Sequence, residues 1–167
     1  ADGEQLLSMN PVVGQERVGR GPTITTVTLP KTNETKFLAA CDEAGRALFQ
    51  PLLAMAQSEG LPLHWGSRGF SLNVDVNGDH INLCFGYPRA AKPNQIPQEL
   101  GTGFAEIKRK VEGSAALIER FKQRLTETGL FVPGGREMKY IIVQKPTPEQ
   151  IESIVKTMGD LAQEVKK

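Results

Sequence analysis

Residues Gly69 to Tyr87 constrain this chain more than any other stretch. Two runs of strict alternation, Gly-Phe-Ser-Leu-Asn-Val-Asp-Val and Asp-His-Ile-Asn-Leu-Cys-Phe-Gly-Tyr, are joined by Asn77-Gly78. Asn-Gly accepts two consecutive positive φ angles better than other dipeptides, so the stretch predicts a β-hairpin with a type I′ turn. The turn sets a register: Val76 opposite Asp79, Asp75 opposite His80, Val74 opposite Ile81, Asn73 opposite Asn82, Leu72 opposite Leu83, Ser71 opposite Cys84 and Phe70 opposite Phe85. One face then carries Phe70, Leu72, Val74, Ile81, Leu83 and Phe85, and the other is polar. An apolar sheet face must be covered, and amphipathic helices on either side of the hairpin can cover it.

At 167 residues, 39% hydrophobic and 23% charged, the chain has ordinary globular composition and enough length for one core. Charged residues interrupt every apolar run before it reaches the roughly 18 residues of a membrane span, so no membrane association is expected. A net charge of +1 creates no whole-protein field, and any electrostatic binding must come from a local patch. Cys41 and Cys84 are too few for a disulfide framework, and a reduced pair in the cytoplasm is the expectation.

In chain order, residues 1–22 are rich in glycine without a sustained period and predict a flexible arm or linker; 23–167 then form a single domain. Thr23 to Leu29, β-branched and closed by Pro30, predicts an edge strand or an extended segment. Asn33 or Thr35 can cap a helix with the stripe Phe37, Cys41, Ala44, Leu48, Leu52 and Met55, ending at Gly60 and kinked or broken at Pro51. Leu61 to Trp65 predicts a short strand before the hairpin. Pro88 to Gly101 reads as a long Pro-rich loop of the kind used for binding or as a mobile flap.

A long helix follows from Thr102 or Gly103 to Gly129, with a bend or close contact at Gly113-Ser114. Pro133-Gly134-Gly135 predicts a turn and Met138 to Val143 a strand more buried than the hairpin. Thr147-Pro148-Glu149-Gln150 combines a cap residue, proline at the first position and a capping box, and opens a final helix. The order β-α-β-β-β-α-β-α makes this an α+β fold, a mostly antiparallel sheet around the hairpin 69–87 packed against helices.

Chemistry is much less legible. On the polar hairpin face Asp75 meets His80 and Asn73 meets Asn82, with Cys84 expected two positions along on the same side. Asp-His pairs orient imidazoles, and His, Cys and Asp can ligate metals, but a zinc site needs more donors at tighter spacing. A solvated sheet face with polar cross-strand pairs accounts for the same residues. Asp75-Val-Asn77-Gly-Asp79 opens like a calcium loop and then fails, with His80 where glycine is needed and Gly86 where the bidentate acid is needed. No pattern calls for a cofactor or a bound metal.

The element order resembles the restriction-nuclease-like core. Glu137-Met-Lys139 has the Glu-x-Lys form such enzymes use with a remote acid, here Asp75 or Asp79, to hold a divalent cation. A whole helix separates the two parts. A basic patch is the last candidate: Lys108, Arg109 and Lys110 near the start of the long helix, where cations oppose the dipole, then Arg120, Lys122 and Arg124. With Arg68, Arg89, Lys92 and Trp65 these residues could hold phosphates and stack a base; pairing with Glu112, Glu119 and Glu127 is the plainer account. The expectation is therefore a non-catalytic binding or accessory domain, contacting a protein partner or a fused neighbouring domain through the polar hairpin face and the loop 88–101. The alternative is a nucleic-acid-associated module, with or without nuclease chemistry.

Overall fold

The structure, a computed structural model, describes residues 29–90 and 97–167. The expected arm at 1–22, most of the expected strand Thr23 to Leu29, and Lys92 lie outside the described residues.

The chain before the hairpin forms two helices, α1 (Glu34–Ala40) and α2 (Glu43–Ser58). Asn33 caps the first, its side chain accepting from the Lys36 N–H, and Asp42 caps the second by accepting from the Gly45 N–H. The break falls at Cys41-Asp42 and not at Pro51, which lies inside α2. Proline forfeits one hydrogen bond, whereas Asp42 offers a fresh N-terminus its own acceptor, so the chain restarts there.

The sheet has six strands, β1 (Leu63–Trp65), β2 (Phe70–Val76), β3 (Asp79–Tyr87), β4 (Glu99–Thr102), β5 (Val132–Gly134) and β6 (Glu137–Ile141), in the order β1-β2-β3-β4-β6-β5 with every pairing antiparallel. The central hairpin turns as expected, with φ of 53° at Asn77 and 86° at Gly78. The expected register holds from Val76↔Asp79 to Asn73↔Asn82 and then slips by one, pairing Leu72 with Cys84, Ser71 with Phe85 and Phe70 with Gly86. Leu83 is the extra residue of a β-bulge, and past a bulge the faces exchange parity. Cys84 therefore enters the core, fully buried, while Phe85 and Tyr87 turn to the opposite face. Both Cys84 and Phe85 were expected on the other side.

β4 replaces the second end of what reads as loop, because Gln98-Glu-Leu-Gly-Thr-Gly lacks alternation. The long helix is two helices, α3 (Phe104–Lys110) and α4 (Ala115–Glu127), parted at Gly113, whose φ is 69°. α3 extends the line of β4 beside the first half of β3: the Gly103 N–H donates to the Leu83 carbonyl at 2.8 Å, and Lys110 Nζ to the His80 carbonyl at 2.6 Å. Pro133-Gly134 belongs to the edge strand β5, where a missing N–H is tolerated, and the turn is Gly135-Arg136. β6 is buried on one face only: Met138, Tyr140 and Ile142 point inward, while Ile141 is exposed and Val143 is 83% exposed.

The last helix, α5 (Pro148–Val165), opens with the expected capping box, Thr147 and Gln150 satisfying each other's backbone. It packs on α2, α4 and the hairpin. The inner row of the sheet is Trp65–Phe70–Gly86–Leu100–Tyr140 across five strands. Phe37 and Phe49 descend on it edge to face, their centroids 5.1 and 5.8 Å from Phe70. Each such ring contributes roughly 1.5–3 kcal/mol by leaving water. No described helix is long and apolar enough to cross a membrane.

Candidate binding groove on the open sheet face

The outer row of the sheet reads His64–Ser71–Phe85–Gly101–Lys139–Val132 across all six strands. Beside it stand Asn82, Tyr87 and Glu99. Phe85 reaches this face because of the bulge, and Gly101 makes room for it: a Cβ on Gly101 would lie 2.2 Å from Phe85 Cζ, so the tip of the ring leans over the β4 backbone. The Phe85 and Tyr87 centroids are 5.8 Å apart with the planes 60° to each other, and both rings are half-buried.

Two clefts lie along this face, and a third adjoins them beyond the start of α3. One of about 580 Å³ lies over Arg68, Ser71, Asn82, Phe85 and Tyr87. A second, of about 430 Å³, shares Asn82 and Phe85 with it and extends to Gly103, Arg109 and Arg136. A third, of about 580 Å³ between α3 and α4, shares Arg109 and Arg136 and adds Lys108 and Lys122. Shared walls make one groove, running from the β1–β2 connection past the start of α3.

The charges along it are unequal in their commitments. Glu106 pairs with Lys110 at 2.8 Å and Glu119 with Lys122 at 2.9 Å. Glu137 is engaged by the start of α3, accepting from Thr102 Oγ1 at 2.9 Å, the Phe104 N–H at 2.7 Å and the Ala105 N–H at 3.0 Å. Nearby, Lys139 lies 3.7 Å from the buried carboxylate of Glu99. Arg68, Lys108, Arg109 and Arg136 form no ion pair among the described residues. Four cations on one groove therefore face solvent without a carboxylate partner.

The sequence-derived candidates distribute unevenly. Asp75 and His80 do pair, carboxylate to Nδ1, near the hairpin turn, both side chains more than half exposed, and His64, also exposed, stacks edge-on to His80 at 4.9 Å. Asn73 faces Asn82 as expected but is buried, its amide donating to the Ser71 carbonyl and hydroxyl at 3.0 and 3.1 Å. Asn82 Oδ1 is buried without a partner among the described residues, facing Gly103. Trp65 is partly buried, packed against the core cluster 5.8 Å from both Phe37 and Phe70, and it also helps to line the first cleft. Arg89 is exposed and lines none of the three clefts, and Lys92 lies outside the described residues.

Lys108, Arg109 and Lys110 occupy the last turn of α3, not the first of a long helix. Cations there complement the dipole, which removes the expectation that they sit unfavourably. Arg120, Lys122 and Arg124 are paired with Glu164, Glu119 and Asp160 and leave the patch. Glu137 and Lys139 are likewise each engaged, and among the described residues no three His, Cys, Asp or Glu side chains are grouped to hold a metal. Arg136, Phe85 and Tyr87 were missed by the sequence reading. A bulge leaves no sequence mark in an alternating run, and Arg136 in a Gly-Gly-Arg turn looks like any solvated loop residue.

The open end of the Pro-rich connection is fixed by Gln98, whose amide donates to Asp42 Oδ1 at 2.7 Å while its Oε1 accepts from the Asp42 N–H at 3.2 Å. That bond is the largest cause holding the Asp42 carboxyl below its ordinary range. Burial pushes both thiols, Cys41 and Cys84, up to about 12. In comparison with known proteins, no family model, no curated protein and no solved structure matches this chain at a significant level.

Proposed function

We propose that this chain is a non-catalytic binding module that receives an anionic partner along the groove of its open sheet face. The observation that carries this reading is the set Arg68, Lys108, Arg109 and Arg136, four groove cations with no ion-pair partner among the described residues. Guanidinium groups suit such a role because their planar fork matches carboxylate and phosphate oxygens in pairs. The non-catalytic part rests on the engagement of Glu137 as the acceptor for α3 and of Lys139 with Glu99, the residues a nuclease would need free. Two buried, protonated thiols accord with a cytoplasmic site of action.

The test uses a fluorescent heparin oligosaccharide as a generic polyanion, with anisotropy read from 50 to 200 mM salt. Saturable binding that weakens with salt, and that the charge reversal Arg109→Glu with Arg136→Glu removes, is the expected result. Binding unaffected by the double reversal, or no binding at low salt, refutes the reading.

A further inference from the structure

Resting on the reading just given, we infer that the partner is a single-stranded nucleic acid whose bases stack on Phe85 and Tyr87 while its phosphates follow Arg68, Arg109, Arg136 and Lys108. A purely electrostatic site for polyanions has no use for two aromatic rings on its floor. Here the fold goes to some length to supply them. The bulge at Leu83 transfers Phe85 and Tyr87 from the helix-covered face to the open one, and Gly101 and Gly69 leave the space they occupy: a Cβ on Gly69 would fall 2.9 Å from the Tyr87 ring. Phe85 and Tyr87 are the two aromatic rings of the outer row and its flank, each keeping part of its π-face in water beside the groove cations.

Aromatic rings flanked by cations on an exposed sheet are what single-stranded nucleic acids exploit, since every unstacked base offers a π-face. Geometry favours a single strand over a duplex. Phe85 and Tyr87 line the groove between α3 and the β1–β2 connection, both are half-buried, and the Phe85 ring lies against the Gly101 backbone. A duplex keeps its bases stacked inside and is read by an element that protrudes into a groove of the nucleic acid. Splayed bases of one strand can descend to the floor.

Four phosphate contacts predict a logarithmic salt slope of about −2.8 for a single strand, so affinity should fall by roughly 50-fold between 50 and 200 mM salt. The experiment titrates the full chain into labelled 12-nucleotide oligothymidylate, oligouridylate, a blunt duplex of equal length and the heparin oligosaccharide. Tyr87→Leu removes the π-face and Tyr87→Phe keeps it, each variant first shown to unfold at the wild-type denaturant midpoint. The inference expects single strands to bind tightest, Tyr87→Leu to weaken them by about tenfold or more, and Tyr87→Phe to retain binding. Heparin still unaffected by Tyr87→Leu would then separate stacking from charge. Equal binding of heparin, duplex and single strand, with Tyr87→Leu silent, overturns this inference and leaves the anionic groove standing. Absence of binding to every polyanion overturns both.

Discussion

Replacing Glu137 by alanine should destabilise the protein through a helix that lies outside Glu137's own strand. The carboxylate accepts from two backbone N–H groups in the first turn of α3 and from the Thr102 hydroxyl, at 2.7 to 3.0 Å. Loss of an N-terminal cap costs about 0.5–2 kcal/mol. Thr102 is fully buried and its Oγ1 also accepts from the Met138 N–H at 2.9 Å, so removing its acceptor strands a buried hydroxyl for roughly 1 kcal/mol more. The sum is about 1.5–3 kcal/mol, or a fall of about 3–12 °C in Tm for a chain of this size. Glu137→Gln retains an acceptor oxygen and should cost about 1 kcal/mol. Urea unfolding at pH 7 measures both, with the midpoint shifting and the slope unchanged. A loss under about 0.5 kcal/mol for Glu137→Ala would show that water replaces the carboxylate and that the capping argument is wrong. Stabilisation of wild type but not Glu137→Ala by millimolar Mg²⁺ would instead return Glu137 to the role of metal ligand.

Three further outcomes follow from the same structure. Gly86→Ala places a Cβ 2.4 Å from Phe70 Cε1 and 2.8 Å from Phe49 Cε1, and calorimetry should register overpacking of about 1–3 kcal/mol; a neutral substitution would mean the two rings are free to retreat. Gln98→Ala removes the main cause of the lowered Asp42 carboxyl. A depressed folded pKa contributes stability above the unfolded value and loses it as pH falls, so the variant should be less stable than wild type at pH 7 and the gap should narrow as pH falls below about 4; parallel curves would contradict this. The thiols at about 12 work in the opposite sense: their contribution is complete below the unfolded value near 9 and disappears as pH rises toward 12. The alkaline decline in stability should therefore be shallower in Cys84→Ala than in wild type by up to about 1.4 kcal/mol per pH unit, and equal slopes would refute the assignment.

Legibility tracked the range of the interaction. Asn77-Gly78, the Thr147 to Gln150 capping box and the paired Asp75 and His80 depend on a few neighbouring residues, and all three stand in the structure as read. β4 was invisible because Glu99 to Thr102 is buried from both sides by its neighbours and shows no alternation of its own. The break at Asp42 and the separation of α3 from α4 were underestimated for a similar reason, since a cap or a positive φ competes with helix continuation by only about 1 kcal/mol and packing settles the outcome.

The amino-acid sequence by itself determined the class of this protein: a sheet built on the hairpin from Gly69 to Tyr87, amphipathic helices to cover it, and no span for a membrane helix among the described residues. Those properties are sums of local preferences and periodic burial. Tertiary structure decided which residues meet on the open face. A one-residue bulge at Leu83 exchanged the faces of Phe85 and Cys84, sending an aromatic ring into the groove and a thiol into the core. Alternation is indifferent to such a slip when both parities carry apolar residues, as they do from Leu83 to Tyr87. Only packing chose between them, with Phe49 and Phe70 leaving room on the inside for Gly86 and not for a second ring.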